Sequence, residues 1–221
     1  MTYTKLTHLL VLIGVIGLSS CIKEGVHSSE TITLRPGAIH GKDAIIHSNR
    51  PDVNSGLSES NIIMAWTYVG GGLPPGATRS LIQFDLSVIP TNATIQSAQL
   101  SLYNDFHAPN NGGDHASLTG SNKSQIHFIK SAWDEFQVTW GNQPSFENSL
   151  TVPLAESISA NQDYLDIDIT EFTKIWHEDP STNHGILLKL VTEQYYRLLL
   201  FASSDNEDQT LHPKLVVKYT I

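Results

Sequence analysis

Apolar and polar residues alternate in short runs along most of this chain, and turn-forming residues interrupt the runs about every ten positions, the pattern of a β-sandwich or barrel. Thr31–Leu34 and Ala44–His47 are the first two runs. After an Asn/Ser/Pro-rich loop over 48–60, residues 61–69 read as a strand that ends at Gly70-Gly71-Gly72. Arg79–Leu86 sets Ser80, Ile82 and Phe84 on one face, with Arg79, Leu81, Gln83 and Asp85 on the other. Thr94–Tyr103 alternates with Ala98, Leu100 and Leu102 inward, and Leu165–Ile169 with Leu165, Ile167 and Ile169 inward. Runs at 125–130, 136–140, 185–191, 198–203 and 215–219 complete the set. Thr170 reads as the N-cap of one short helix through Trp176, whose apolar face is Phe172, Ile175 and Trp176. The pattern predicts an all-β, antiparallel, jelly-roll-like β-sandwich of roughly ten strands with one short helix. A polar stretch over 104–124 is the longest loop, a length that suits a functional segment.

The N-terminus has a different pattern. Lys5 precedes the uncharged apolar run Leu9–Gly17, which is too short to span a bilayer and has the length of a signal-peptide core. Leu18-Ser19-Ser20-Cys21 then reads as a lipobox, with small residues before the cut and a thiol to take the lipid. The expected organisation is a lipoprotein signal peptide over 1–20, lipidated Cys21 and a tether over 21–30, and one β-sandwich module over 31–221. Cys21 is the sole cysteine, so no disulfide framework can form. Ile22 in place of Asp after the cysteine resembles outer-membrane sorting. This places the protein in the outer membrane or at the cell surface of a Gram-negative bacterium, attached to the membrane through lipid only.

Charged residues make up 16% of the chain, below the usual quarter or so, while Ser, Thr, Asn and Gly abound, as in extracellular β proteins. The net charge of −9 opposes nucleic acid and anionic membranes as general partners. Against that background, Arg79, Lys130, Lys189 and Arg197 all fall in or beside predicted strands. A three-residue loop at 192–194 would pair Lys189 directly with Arg197, a repulsion that a bridging anion would relieve. The alternative is a local acid for each base, such as Asp85 or Glu193. Trp66 and Tyr68 share a strand face beside the glycine-rich loop and are candidate sugar-stacking residues, with Tyr195-Tyr196 next. Phe84, Trp133, Trp140, Phe172 and Trp176 are expected in the core. Asp43, Asp52 and Asn54 in a polar loop and Asp205 at the end of a late strand offer oxygens for a structural calcium, with Asp43 and Asp205 the candidate ligands, and no other cofactor is required. The histidines lack zinc spacing, and nucleophile-elbow, P-loop and dinucleotide signatures are absent. Asp166 and Asp168, two apart on one strand face, imitate a glycosidase pair, but the alternation over Leu165–Ile169 more simply marks them as the solvent face.

Several segments in order carry a family resemblance. RSLIQFDLSVIPTNATIQSAQLSLY (Arg79–Tyr103) is similar to the core of the DNRLRE-type module, also called the disaggregatase-related repeat, which overlaps carbohydrate-binding module family 96. Trp133, Glu135, Val138, Thr139 and Trp140 match its W-x-E-x-x-V-T-W segment, and Asn142 and Pro144 continue it. Asp168-Ile169-Thr170, Trp176 and Asn183-His184-Gly185 match the next segment. Phe201, Ser203, Ser204 and Asp205, then Pro213-Lys214-Leu215, match the closing one. Asp43-Ala44, Pro51, Asn54 and Gly56 resemble the opening. The resemblance implies a β-sandwich that binds polysaccharide, alginate being the best-known ligand. The expected function is therefore non-catalytic binding of an acidic, alginate-like uronate polymer by a monomeric surface lipoprotein, with Arg79, Lys130, Lys189, Arg197, Trp66 and Tyr68 as the carbohydrate-binding set. The alternatives are a polysaccharide-degrading enzyme of disaggregatase type and an adhesive module that binds protein.

Overall fold

The alternation in the sequence becomes strands wherever one face can be buried. The computed structural model describes residues 28–67, 74–108 and 113–221, so Cys21 and Tyr68 lie outside the described residues. Among these residues the chain forms β1 (Ser29–Leu34), β2 (Lys42–His47), β3 (Ser60–Trp66), β4 (Gly76–Gln83), β5 (Thr94–Leu102), β6 (Ala116–Ser117), β7 (Ser124–Ile129), β8 (Phe146–Leu154) and β9 (Tyr164–Asp168). Helix α1 (Thr170–Glu178), β10 (Ile186–Leu190), β11 (Arg197–Ala202) and β12 (Lys214–Thr220) follow. One sheet has the order β1-β12-β5-β9; the other runs β6-β11-β3-β4-β10-β7-β8, with β2 paired to β4 as well. All pairings are antiparallel. The all-β sandwich expected from the sequence is the fold.

The main core lies between the sheets. Ala98, Leu100 and Leu102 of β5 and Leu215 and Val217 of β12 meet Ile82, Ile126, Ile186, Leu188, Leu199 and Phe201 of the larger sheet. Helix α1 closes one end by stacking Trp176 on Phe128 at 5.7 Å, with Phe172 edge-on to Phe128 at 5.6 Å. Each such aromatic or aliphatic side chain stabilises the fold by roughly 1.5–3 kcal/mol through burial. Two smaller clusters cover other parts of the larger sheet. Trp133, Val138, Trp140 and Phe146 pack on Ala44, Ile46, Leu81 and Leu187. Ile62, Met64, Leu198, Leu200, Ala108 and Ala116 pack with Ile45, and Trp66 lies against them.

Some expectations change. Residues 136–140 are a turn, not a strand: the N–H groups of Gln137 and Val138 both bond to Asp134 O, and Phe136 is exposed. β8, which the sequence reading passed over, has no fully buried face: Leu150, Val152 and Leu154 alternate with Thr151 and Pro153, but of the three only Leu154 is fully buried. In β9 a register shift opposite Leu100/Leu102 and a left-handed Asp166 (φ 54°) change one member of the inward set: Ile167 and Ile169 pack on the core as expected, and Leu165 does not. Tyr164 is buried as a result, and Leu165 faces out. Thr170 is the first residue of α1, not its N-cap: its Oγ1 accepts from Ala98 N (2.9 Å), and Asp168 Oδ1 accepts from Thr170 N (2.9 Å). β1 begins at Ser29, inside the stretch expected to be tether.

Candidate functional site: a basic groove beside a carboxylate cluster

The structure separates the bases that the sequence grouped. β10 and β11 are not neighbours, because β4 and β3 lie between them. Lys189 therefore pairs with Gln125 of β7, and Arg197 with Ala65 and Ser117. The expected Lys189–Arg197 pair does not form; residues 191–196 cross from β10 to β11 as a connector, not as a hairpin loop. That connector gives each of two arginines a partner. Glu193 takes Arg79 through both carboxylate oxygens, at 2.8 and 2.9 Å, and Gln143 Oε1 accepts a third bond at 2.8 Å. The Arg79 guanidinium also lies 4.3 Å from the Trp140 ring centre. Gln194 Oε1 accepts from Arg197 Nη2 at 3.3 Å, and Arg197 is only 9% exposed, too buried to meet a polymer. Lys130 forms a solvent-exposed pair with Glu147 at 3.5 Å. Lys189 has no ion-pair partner among the described residues; one step beyond the Leu188–Ser80 pairing sets it beside Arg79.

A base that the sequence reading passed over sits in a better place. Arg50 follows β2 in a polar turn, with its N–H bonded to His47 O and its carbonyl accepting from Val53 N, each at 3.1 Å. It lines an open groove of about 410 Å³ between the β2–β3 connection and the face of β3. Ile45, Ile62 and Met64 supply apolar lining, and His47, Asn54, Ser55 and Ser58 supply polar groups. Arg50 Nε is shut off from solvent without an acceptor, and Arg50 forms no ion pair among the described residues. By alternation Ile62, Met64 and Trp66 share one face of β3, so the half-buried Trp66 extends that lining. Trp66 stands edge-on to Tyr196 at 5.1 Å. Burial, with the Arg50 charge adding to it, lowers the His47 pKa to about 4, so this histidine is neutral and Arg50 is the charged group of the groove. No periodicity marks Arg50 in the sequence, since it lies in the loop over 48–60.

A second groove of about 560 Å³ is lined by Glu59, Asp105, Glu207 and Asp208, together with Ser60, His107, Ala108 and Asn206. Its charge repels a polyanion. His115 is structural: Leu200 N–H donates to its Nδ1 at 3.0 Å, so Nε2 carries the proton and faces Gln162 O at 2.8 Å.

Asp43 and Asp205, the expected calcium ligands, are brought together, and the structure adds Glu135. One carboxylate oxygen from each lies within 4.8 Å of the others. Burial pushes the Asp43 carboxyl up to about 7, the Ser204 N–H holds it down in part, and Asp205 and Glu135 push it further up. The Glu135 and Asp205 carboxyls are also raised, chiefly by burial.

The described residues thus form a β-sandwich with an open, partly apolar groove that Arg50 lines. Residues 38–219 match the family model of carbohydrate-binding module family 96, and the chain belongs to that family. A search of curated proteins gives no match.

Proposed function

We propose that this chain is a non-catalytic, lipid-anchored module that binds an acidic polysaccharide in the Arg50 groove. The family supports carbohydrate as the ligand. The observation that carries the acidic character is Arg50 itself, a guanidinium that forms no ion pair among the described residues and whose Nε lacks an acceptor there, over an apolar lining. A uronate ring offers the matching parts: a weakly polar C–H face for Ile62, Met64 and Trp66, and a carboxylate for the planar fork of Arg50. A polymer that runs through an open groove needs no enclosed cavity.

Attachment to the membrane follows from Cys21 and the lipobox before it, by which residues 1–20 are removed and the module is held at the outer membrane or cell surface. Among the described residues no helix is long and apolar enough to cross a membrane. The test is affinity electrophoresis of the protein through gels that contain a polyuronate or a neutral glycan, with an assay for new reducing or unsaturated ends. The expected result is retardation by the polyuronate and no new chain ends. Retardation by the neutral glycan alone overturns the acidic ligand, and new chain ends overturn the non-catalytic reading.

A further inference from the structure

Asp43, Glu135 and Asp205 reach one point from the start of β2, the turn after β7 and the loop after β11. Two oxygens bound to one Ca²⁺ at 2.3–2.6 Å can be at most about 5 Å apart, so a mutual spacing within 4.8 Å leaves these three oxygens close enough to share an ion. The protein's own donors satisfy this cluster only in part. Asp43 Oδ2 accepts from Ser204 N at 2.8 Å, and Glu135 Oε1 accepts from Asp43 N at 3.0 Å. Asp205 Oδ2 is closed off from solvent with no donor. Ser204 is 3% exposed; its Oγ is close enough to the Asp43 carboxylate to help hold that carboxyl down, yet short of the geometry of a regular hydrogen bond. Lys42 is near enough for its charge to act on Glu135, but its ammonium is committed to Gln83 Oε1 at 2.7 Å and to the Trp133 ring at 4.3 Å. His212, the other base close to Asp205, directs its Nε2 to Asn206 O at 2.8 Å.

We propose that Asp43, Glu135 and Asp205, with Ser204 Oγ as a neutral fourth oxygen, bind one Ca²⁺ ion that ties the 131–145 loop to the ends of β2 and β11. The donor set is all oxygen, which selects a hard cation over zinc or copper, and its irregular origin in three loops suits Ca²⁺ better than the strict octahedron of Mg²⁺. The ion also steadies one wall of the Arg50 groove. Glu135 O and Val138 O each accept from Asn54 Nδ2 at 2.8 Å, and Asn54 lines that groove. Gly56 packs so closely on Glu135 that a Cβ there would lie 2.1 Å from its carbonyl oxygen. This last consequence rests on the groove being the glycan site.

The test uses the purified protein stripped with a chelator, titrated with Ca²⁺ or Mg²⁺ by calorimetry and followed by thermal unfolding. The expected result is one Ca²⁺ per chain and a rise in Tm of several degrees at about 1 mM Ca²⁺, with a smaller effect of Mg²⁺. The isosteric pair Asp43→Asn and Glu135→Gln should fold with a Tm no lower than that of the stripped wild type, and should lose the Ca²⁺ response. No Ca²⁺ binding by the wild type overturns the site, and so does an undiminished Ca²⁺ response in the double variant. Polyuronate retardation should strengthen with Ca²⁺. A Ca²⁺-dependent Tm with unchanged retardation overturns the coupling to the groove alone, whereas loss of retardation under every condition counts against the glycan reading and not against the ion.

Discussion

Glu193 grips Arg79 through both carboxylate oxygens across the gap between the β10–β11 connector and β4. The pair explains how a strand-borne arginine is kept half-buried on a sheet face without a ligand. Glu193→Ala should leave that guanidinium with Gln143 and the Trp140 ring only. The pair is partly exposed, at 13% and 25%, so the loss should be about 2 kcal/mol, below the range for a fully buried pair, read as a shift in the urea midpoint. Polyuronate retardation should not change. Stronger retardation of this variant would move the glycan site to the face that holds Arg79 and Lys189.

Arg50→Ala should weaken polyuronate binding about tenfold or more, since a charge-assisted hydrogen bond contributes roughly 1.5–3 kcal/mol. Trp66→Ala should weaken it as well, but without changing its salt dependence. Binding by the wild type should fall between about 0.05 and 0.5 M NaCl as the charge contacts are screened. Equal retardation of the Arg50 variant and wild type would remove this base from the site.

His47 gives the fold a pH signature. Its folded pKa of about 4 lies below the unfolded value, so the unfolded chain binds the extra proton first. The stability tied to neutral His47 is complete above about pH 6.5 and is lost as the pH falls toward 4, with a total of about 3 kcal/mol. Asp43 runs the opposite way in the chelator-stripped protein. Its raised pKa makes the charged form costly, so its penalty fades as the pH falls from about 7. The measurement is therefore a comparison of wild type and His47→Gln in urea at several pH values with Ca²⁺ present. The gap between the two should narrow, or reverse, as the pH drops through that window. A gap independent of pH would show that His47 does not carry the effect.

Gly185→Ala should lower Tm more than an ordinary helix or strand Gly→Ala change. Gly185 sits at φ +80°, and an added Cβ would fall 2.2 Å from Ile82 O in the neighbouring β4. Its own carbonyl accepts from Ile129 N at 3.1 Å, so this backbone cannot drift away without loss. A loss well above about 1 kcal/mol is expected by thermal or urea unfolding.

β5, β12 and α1 were legible in the sequence because each buries one regular face, so composition alternates with the period of the element. β8 was not, because both its faces are partly exposed and Asn148, Ser149 and Pro153 interrupt it. Residues 136–140 carry the apolar content of a strand, but Val138 and Trp140 pack on the outside of a sheet from a turn while Phe136 stays exposed. Asp43 and Asp205 could be named as ligands from their loops. Glu135 could not, since it lies 92 residues from Asp43, and only the tertiary fold joins them. The Lys189–Arg197 pairing failed for a topological reason: adjacency in sequence suggested a hairpin where the chain passes over two strands.

The order β1-β12-β5-β9 gives the smaller sheet a central strand, β12, that comes after all the other described strands in sequence. β1 has β12 as its partner, with Ser29 opposite Thr220, so the first strand waits for a segment made about two hundred residues later. During synthesis the sandwich cannot close from β1; the apolar faces of β1 and β5 stay without this partner until Leu215, Val217 and Tyr219 arrive. Such long-range closure makes folding slow and late. A chain cut before Lys214 would lose the strand that holds both its neighbours.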